Sequence, residues 1–193
     1  MKKVLQAVSV LTHPIFLPIF SLAIYAPIVA KYGHNAIVLS LIWIGFVYLL
    51  LPLVYFKFIR KMNLAMPNLD ERRSIFRAYS LINAGFIFVS IFIMTEYVSF
   101  FMAAMLLHII MLLLAFVEMK ASWHTAVWTF LTLVGLMVLY NYSSVGFERI
   151  VFLPLSILVT VILIRKAANA HTWFELGMGG AAGAFASLPV LFF

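Results

Sequence analysis

The chain has 193 residues, of which 66% are hydrophobic and only 10% are charged, and it contains no cysteine. A soluble domain carries roughly a quarter charged residues, so a water-soluble globular fold is excluded, as are disulfides and thiolate metal sites. The net charge of +7 lies in a few loops rather than on one exposed basic face, which excludes a nucleic-acid partner and indicates contact with a lipid bilayer.

Seven apolar segments follow one another along the chain, and a segment of about 20 apolar residues can cross a bilayer. They are residues 8–30, 36–56, 78–94, 98–117, 125–142, 150–164 and 173–193. The first contains three prolines, so it is either a kinked span or an interfacial segment. In the last, Gly179 and Gly183 have the spacing that lets neighbouring helices approach closely. We predict one all-α domain over residues 1–193, an integral membrane bundle of six to seven transmembrane helices.

The basic residues divide unequally when these segments alternate across a bilayer. Eleven of the 13 fall on one side and two on the other. The eleven are Lys2, Lys3, Lys57, Arg60, Lys61, Arg72, Arg73, Arg77, Lys120, Arg165 and Lys166, and the two are Lys31 and Arg149. Because an excess of Lys and Arg marks the cytoplasmic side, we predict a protein of the bacterial inner membrane with its basic loops in the cytoplasm.

Three polar clusters lie at span ends on the more basic side. The first has Asp70, Glu71, Arg72, Arg73 and Arg77 before the third segment, the second has Lys120, Ser122, Trp123 and His124 before the fifth, and the third has Arg165, His171 and Glu175 before the seventh. Two spans separate each cluster from the next, so all three face the same compartment and can converge in one site.

The residue types in these clusters match the chemistry of phosphoryl transfer. If the seventh span begins here, His171 and Glu175 share a helix face, and the carboxylate leaves one imidazole nitrogen as a nucleophile. His124 offers a second imidazole that can protonate a leaving oxygen. The remaining side chains supply donors for phosphate oxygens, namely Arg165, Lys120, Ser122, Arg72, Arg73 and Arg77. The set predicts metal-independent phosphoryl transfer without a cofactor.

At these residues the chain resembles the type-2 phosphatidic acid phosphatase and vanadium haloperoxidase superfamily. That family carries the motifs Lys-x6-Arg-Pro, Pro-Ser-Gly-His and Ser-Arg-x5-His-x3-Asp. Here the third reads Ile164-Arg165-x5-His171-x3-Glu175, and the second reads Ala121-Ser122-Trp123-His124. The first is not present as written, and the cluster of Arg72, Arg73 and Arg77 stands in its place.

The resemblance implies hydrolysis of a phosphate monoester or diphosphate on a membrane lipid. His171 would form a phosphohistidine, Glu175 would orient it, and His124 would protonate the leaving group. Ser122, Arg165 and the other basic residues named above would bind the phosphoryl oxygens. Members of the superfamily commonly act on the outer or luminal face, whereas the charge distribution favours the cytoplasmic face, so both faces stay open.

Two other functions fit the same residues. A transporter or binding protein would hold a phosphorylated lipid headgroup without turnover, and a metalloenzyme would use His124, His171 and Glu175 as ligands, against which the neighbouring cations argue. Two further histidines are interpreted structurally. His108 is expected to be a neutral imidazole bonded to a neighbouring helix, and His13 to cap or kink the first segment.

Overall fold

The computed structural model describes residues 12–14, 42, 45–62, 67–93, 97–141 and 147–192, and these ranges contain helices and turns but no β-strand. The helices are α1 (Gly45–Ile59), α2 (Leu69–Ile93), α3 (Val98–Phe116), α4 (Trp123–Asn141), α5 (Phe147–Ala167) and α6 (Trp173–Ser187). A 3-10 turn, Leu188–Phe192, follows α6. The predicted segment 8–30 lies outside the described residues except at 12–14, as does most of 36–56 before Gly45.

Three of these helices are long and apolar enough to cross a membrane, over Leu69–Phe92, Val98–Phe116 and Trp173–Leu191. The helices Gly45–Ile59 and Trp123–Met137 are apolar but shorter. Large hydrophobic side chains lie on the outside of the bundle, such as Phe92 and Leu81, which are 74% and 73% exposed. Exposed apolar surface of this kind suits lipid contact. The all-α fold is confirmed, and transmembrane helices are supported by these three.

The packing of the bundle places α4 at its centre. Helix α2 packs against α3, while α4 contacts α3, α5 and α6, and α6 also contacts α3. Where α1, α2 and α3 meet, the ring of Phe86 stacks on that of Phe101 with centroids 4.7 Å apart, and Tyr48 packs beside both. These contacts hold α1 against the α2–α3 pair.

Two glycines of α6 bring its backbone into contact with that of α4, as their spacing predicts. A Cβ atom at Gly179 would collide with the carbonyl oxygen of Ser122, and one at Gly183 would collide with the carbonyl oxygen of Ala126. Because the contacts advance together along both helices, α4 and α6 run in the same direction. The backbone N–H of Ser122 also donates to the carbonyl of Glu175 at 2.9 Å. The starts of the two helices therefore lie side by side.

The turns that lead into α4 and α6 are built in the same way. Glu118 follows α3 with φ 60°, and Asn169 follows α5 with φ 50°, so a residue in left-handed conformation ends each preceding helix. A hydroxyl side chain then precedes each new helix. Ser122 Oγ and Thr172 Oγ1 accept hydrogen bonds from the amides three residues ahead, at 3.4 and 3.2 Å. Both turns are thus held at either end.

Candidate phosphate-binding pocket

A small pocket, with a cavity volume of about 20 Å³, lies where these two turns meet the start of α2. Its polar wall consists of Arg72, His124, Arg165 and His171. The structure thus brings together at least one residue from each of the three predicted clusters. Its apolar wall consists of Pro67, Ile75, Phe76 and Trp123, and His13 completes the lining.

The two ring nitrogens of His171 have opposite roles. Nδ1 lies 3.2 Å from a carboxylate oxygen of Glu175, which only accepts hydrogen bonds, so Nδ1 carries the hydrogen. Nε2 lies 3.2 Å from Nη2 of Arg165, which only donates, so Nε2 accepts. The side chain is therefore a neutral imidazole whose lone pair is on Nε2, and the carboxylate determines this tautomer.

The Glu175 carboxylate also takes part in starting α6. The helix begins at Trp173, so His171 precedes the helix instead of sharing a face of it with Glu175. Thr172 is the N-cap, and its backbone N–H donates to Oε2 of Glu175 at 2.9 Å while its hydroxyl accepts from the Glu175 amide at 3.2 Å. This is a capping box. The oxygen that accepts from the cap amide is the same Oε2 that holds His171.

The surroundings of His171 keep its imidazole neutral. Burial is the largest cause and the positive charges of Arg165 and Arg72 add to it, so that the pKa of His171 is lowered to about 4. The hydrogen bond and negative charge of Glu175 act in the opposite direction but are outweighed. The side chain is only 6% exposed. At neutral pH it is therefore uncharged, which is the form with a nucleophilic lone pair.

Arg72 is the arginine of the first cluster that reaches the pocket. Its Nε donates to the carbonyl of Pro67 at 3.1 Å, and its Nη1 donates to the carbonyl of Ala121 at 3.2 Å. These bonds fix the guanidinium between the start of α2 and the turn before α4. Its charge acts on His171 together with that of Arg165, so two guanidinium groups make this wall of the pocket positive.

Arg73 and Arg77 lie elsewhere. The guanidinium carbons of both are 5.3 Å from the centre of the Phe116 ring, and Arg73 also pairs with Asp70 at 2.9 Å. Residues four apart share a helix face, whereas consecutive residues point about 100° apart. The pair at 73 and 77 therefore faces α3, while Arg72 faces the pocket.

Ser122 and Lys120 lie beside the pocket without lining it. Ser122 is fully buried, and its hydroxyl accepts from Oγ1 of Thr125 at 3.1 Å as well as capping α4. Lys120 is exposed, and its charge attracts the carboxylate of Glu175. The structure therefore gives Ser122 a role in forming the turn, and it places Lys120 at the surface near the acid.

Trp123 forms the largest part of the apolar wall. Its ring packs edge-on against Phe76 at 5.5 Å and lies 5.8 Å from the ring of Tyr79. The indole Nε1 is buried and has no hydrogen-bond partner in the described part of the chain. The bulky side chain thus lines the pocket at the position where the resembled family has glycine.

His13, for which the sequence favours a cap or kink over a site role, lines the pocket. Its ring meets that of His124 edge-to-face, with centroids 5.2 Å apart, and that of Trp123 at 5.7 Å. No local pattern around Thr12-His13-Pro14 indicates such a contact, because its partners are more than a hundred residues away along the chain. The capping box at Thr172-x-x-Glu175, by contrast, is a readable sequence signature.

Comparison with protein-family models, with curated proteins and with solved structures finds no match for this chain. Among the residues that the structure describes, no three His, Asp or Glu side chains come together as a group able to hold a metal ion. The arrangement itself is a small cationic pocket that contains a neutral, oriented imidazole beside an apolar wall. Such a pocket suits an anion that is joined to an apolar group.

Proposed function

We propose that this protein is a membrane-embedded lipid phosphatase that hydrolyses a phosphate monoester or diphosphate through a phosphohistidine intermediate. The observation that carries the proposal is the Arg165–His171–Glu175 series of contacts, in which the carboxylate fixes the tautomer and the lone pair of Nε2 faces a guanidinium. The resemblance to the type-2 phosphatidic acid phosphatase superfamily at the same residues supports it. The superfamily assignment is part of the proposal.

The phosphoryl group is bound by the two guanidinium groups of the pocket. Arg165 donates to Nε2 of His171. An entering phosphate offers stronger, charged acceptors, so Arg165 transfers its hydrogen bond to a phosphoryl oxygen and releases the lone pair of Nε2. Arg72 is held in place by two backbone carbonyls, and its remaining N–H groups donate to the phosphoryl oxygens. The site thus couples substrate binding to exposure of its nucleophile.

The reaction then has two displacements at phosphorus. In the first, Nε2 of His171 bonds to phosphorus, the bond to the leaving oxygen breaks, and His124 gives that oxygen a proton. The Glu175 carboxylate stabilises the positive charge that develops on the imidazole ring. In the second, His124 takes a proton from a water molecule that attacks phosphorus, the N–P bond breaks, and inorganic phosphate leaves. His171 returns to its neutral form.

The apolar wall suits a substrate that remains in the membrane. Ile75, Phe76 and Trp123 line the same pocket as the cations. Ile75 and Phe76 lie on the buried side of α2. We propose six to seven membrane spans, in which α1, α4 and α5 cross the membrane in addition to α2, α3 and α6. Helix α5 has 21 residues, enough for about 30 Å at 1.5 Å per residue. The lipid enters from between the spans, with its phosphate at their ends.

A phosphate-release panel tests the proposal. Purified protein is assayed without added metal on phosphatidic acid, phosphatidylglycerophosphate, a polyprenyl diphosphate and a lipid A-type sugar phosphate. We expect release from at least one substrate, inhibition by vanadate, and a loss of about a thousandfold or more in His171→Ala. His108→Leu serves as the control for replacing a buried histidine. A folded wild-type protein that releases phosphate from none of them would contradict the proposal, as would an active His171→Ala variant.

A lipid-phosphate binding or transport protein is the second candidate, and one observation favours it. Arg165 occupies the lone pair of His171, and the capping box alone accounts for the presence of Glu175. A pocket with these contacts can hold a phosphate without attacking it. In that case the wild type binds phosphorylated lipid in vesicles without turnover, and His171→Ala weakens this binding by less than about tenfold, the value of a single modest contact.

A further inference from the structure

The short segment Thr12–Pro14 is attached to two successive turns of α4. Nε1 of Trp128 donates to the carbonyl oxygen of Thr12 at 2.9 Å. One turn earlier, the ring of His124 meets the ring of His13 with centroids 5.2 Å apart and an angle of 88° between the planes. Residues four apart lie on one face of a helix, so the same face of α4 makes both contacts. These two contacts fix the segment against α4, where His13 lines the pocket.

The position of the His13 ring is restricted in two further ways. The residue before a proline is confined to extended backbone conformations, and Pro14 is buried. The His13 ring also packs edge-on against Trp123, with centroids 5.7 Å apart. It is therefore held between two rings of the α4 start while it lines the pocket.

We infer that His13 is a positioning residue, which holds the His124 ring in the orientation that lets it give and take a proton at the leaving oxygen. This inference rests on the proposed phosphatase function. An edge-to-face pair is stabilised when one ring keeps its edge against the face of the other, so it restricts rotation of both side chains. A proton donor that is rotated away from the leaving oxygen loses catalysis even when the phosphate stays bound.

The pocket around His124 also contains charged groups. Arg72 and Arg165 line it together with His171, and guanidinium groups repel a protonated imidazole. Lys120 is exposed and its charge is directed to Glu175. The aromatic contact with His13 is an uncharged contact that can hold the ring in both of its protonation states.

Two substitutions at position 13 separate positioning from other roles. His13→Ala removes the ring, whereas His13→Phe keeps an aromatic ring without nitrogen atoms. We expect His13→Ala to lower kcat about tenfold with KM within twofold, because orientation affects the reaction and not phosphate binding. We expect His13→Phe to recover kcat to within threefold of the wild type. Trp128→Phe, which removes the donor to the Thr12 carbonyl, should also lower kcat.

A second measurement does not depend on turnover. Histidines labelled with ¹³C at Cε1 are followed by NMR in detergent micelles, and each signal is assigned by single substitution. We expect His13→Ala to shift the His124 signal, and His13→Phe to leave it closer to its wild-type position. Since this measurement needs no substrate, it tests the ring contact even if the wild type has no phosphatase activity, an outcome that would count against the proposed function alone.

Three results would overturn the inference. A raised KM with unchanged kcat in His13→Ala would make His13 a phosphate ligand. Equal losses in His13→Phe and His13→Ala would show that the imidazole nitrogen acts in the chemistry itself. An unshifted His124 signal in His13→Ala would show that no ring contact orients it.

Discussion

Two of the buried histidines that the structure describes, His108 and His171, are satisfied in opposite ways. His108 lies in the middle of α3, where Nδ1 is 2.7 Å from the carbonyl of Ala104, four residues earlier in the same helix. Its ring stacks on that of Tyr79, with centroids 5.1 Å apart. His171 lies between helices, and each of its nitrogens meets a charged side chain of another element, one cationic and one anionic.

The difference distinguishes a polar group that is bonded within the helix bundle from one that is oriented toward a pocket. A carbonyl in its own helix makes a histidine compatible with an apolar interior at little structural cost, and Nδ2 of neighbouring Asn83 likewise donates to the Tyr79 carbonyl at 2.6 Å. Opposed charges around His171 instead fix a tautomer and face a cavity that can admit a ligand. Burial alone, which the two residues share, does not indicate function.

After His171→Ala, the largest effect should come from Arg72, the arginine of the first cluster that lines the pocket. Replacing Arg72 by Gln removes one of two guanidinium groups available to a phosphoryl group, and we expect kcat/KM to fall about a hundredfold. Arg73→Gln is the matched control on the adjacent residue, whose side chain faces Phe116, and it should stay within threefold. Equal losses in the two variants would show that the pocket is assigned to the wrong face of α2.

The helix contact that brings His171 to the pocket should be the next most sensitive feature. In Gly183→Ala the new methyl group meets the backbone of Ala126 and Phe130, and overpacking of this kind costs about 1–3 kcal/mol. We expect a lower thermal unfolding midpoint and a several-fold loss of activity, since α6 carries Glu175.

Gly177→Ala is the matched control, because a Cβ at that position meets no atom within 4 Å. Alanine also favours a helix over glycine. Its thermal midpoint should equal or slightly exceed that of the wild type. A loss of stability in Gly177→Ala comparable to that in Gly183→Ala would remove the backbone contact as the explanation.

A smaller and more specific effect concerns the pH dependence of kcat/KM, which reports the free enzyme. His171 must be neutral to attack, and its pKa is lowered to about 4, so the wild type should stay active well below pH 6.5 as far as this residue is concerned. Arg165→Gln removes a positive neighbour, which raises the pKa of His171. The acid limb of the residual activity should therefore move up by about one pH unit.

The substrate titrates in the same way with the wild type and with Arg165→Gln. The difference between the midpoints of their acid limbs therefore reports a group of the protein. Arg73→Gln, which does not act on His171, should leave the midpoint where it is in the wild type. An acid limb that moves to lower pH in Arg165→Gln would contradict the assigned charge effect.

The smallest effect is expected at the structural histidine. His108→Leu replaces an imidazole whose bond goes to a backbone carbonyl already within a helix, by an apolar group of similar size. We expect kcat/KM within threefold of the wild type and a change in the free energy of unfolding below about 1.5 kcal/mol. A loss of activity near that of His171→Ala, measured on folded protein, would end the distinction between the two histidines.

Hydropathy predicts where the helices lie but not where they begin. The predicted span 98–117 differs from α3 by one residue, whereas the predicted span 78–94 begins nine residues after the start of α2. The missing turns carry Asp70, Glu71 and the three arginines, which a hydropathy window rejects although a helix tolerates them well. These polar turns contribute Arg72 to the pocket, so the part of α2 that the hydropathy window omits is the part that contributes to the site.

The site was predictable where spacing determines geometry and was not where tertiary packing does. The spacing of Arg165, His171 and Glu175 places them at the end of α5, in the connecting turn and at the start of α6, and they meet there. The choice among three arginines depends on which face of α2 meets α4, although helical periodicity separates Arg72 from the other two. The contact of His13 depends on the whole bundle, and no local pattern contains it.

The shared oxygen of Glu175 ties the chemistry of the site to the completion of the fold. Oε2 accepts from the backbone N–H of Thr172, the N-cap of α6, and from the imidazole of His171 at the same time. If the start of α6 frays, the carboxylate leaves His171, and the imidazole loses the partner that selects its tautomer. A chain whose final helix has not yet docked therefore carries all of its pocket residues and still lacks a prepared nucleophile. For the proposed phosphatase, this makes activity dependent on the finished bundle.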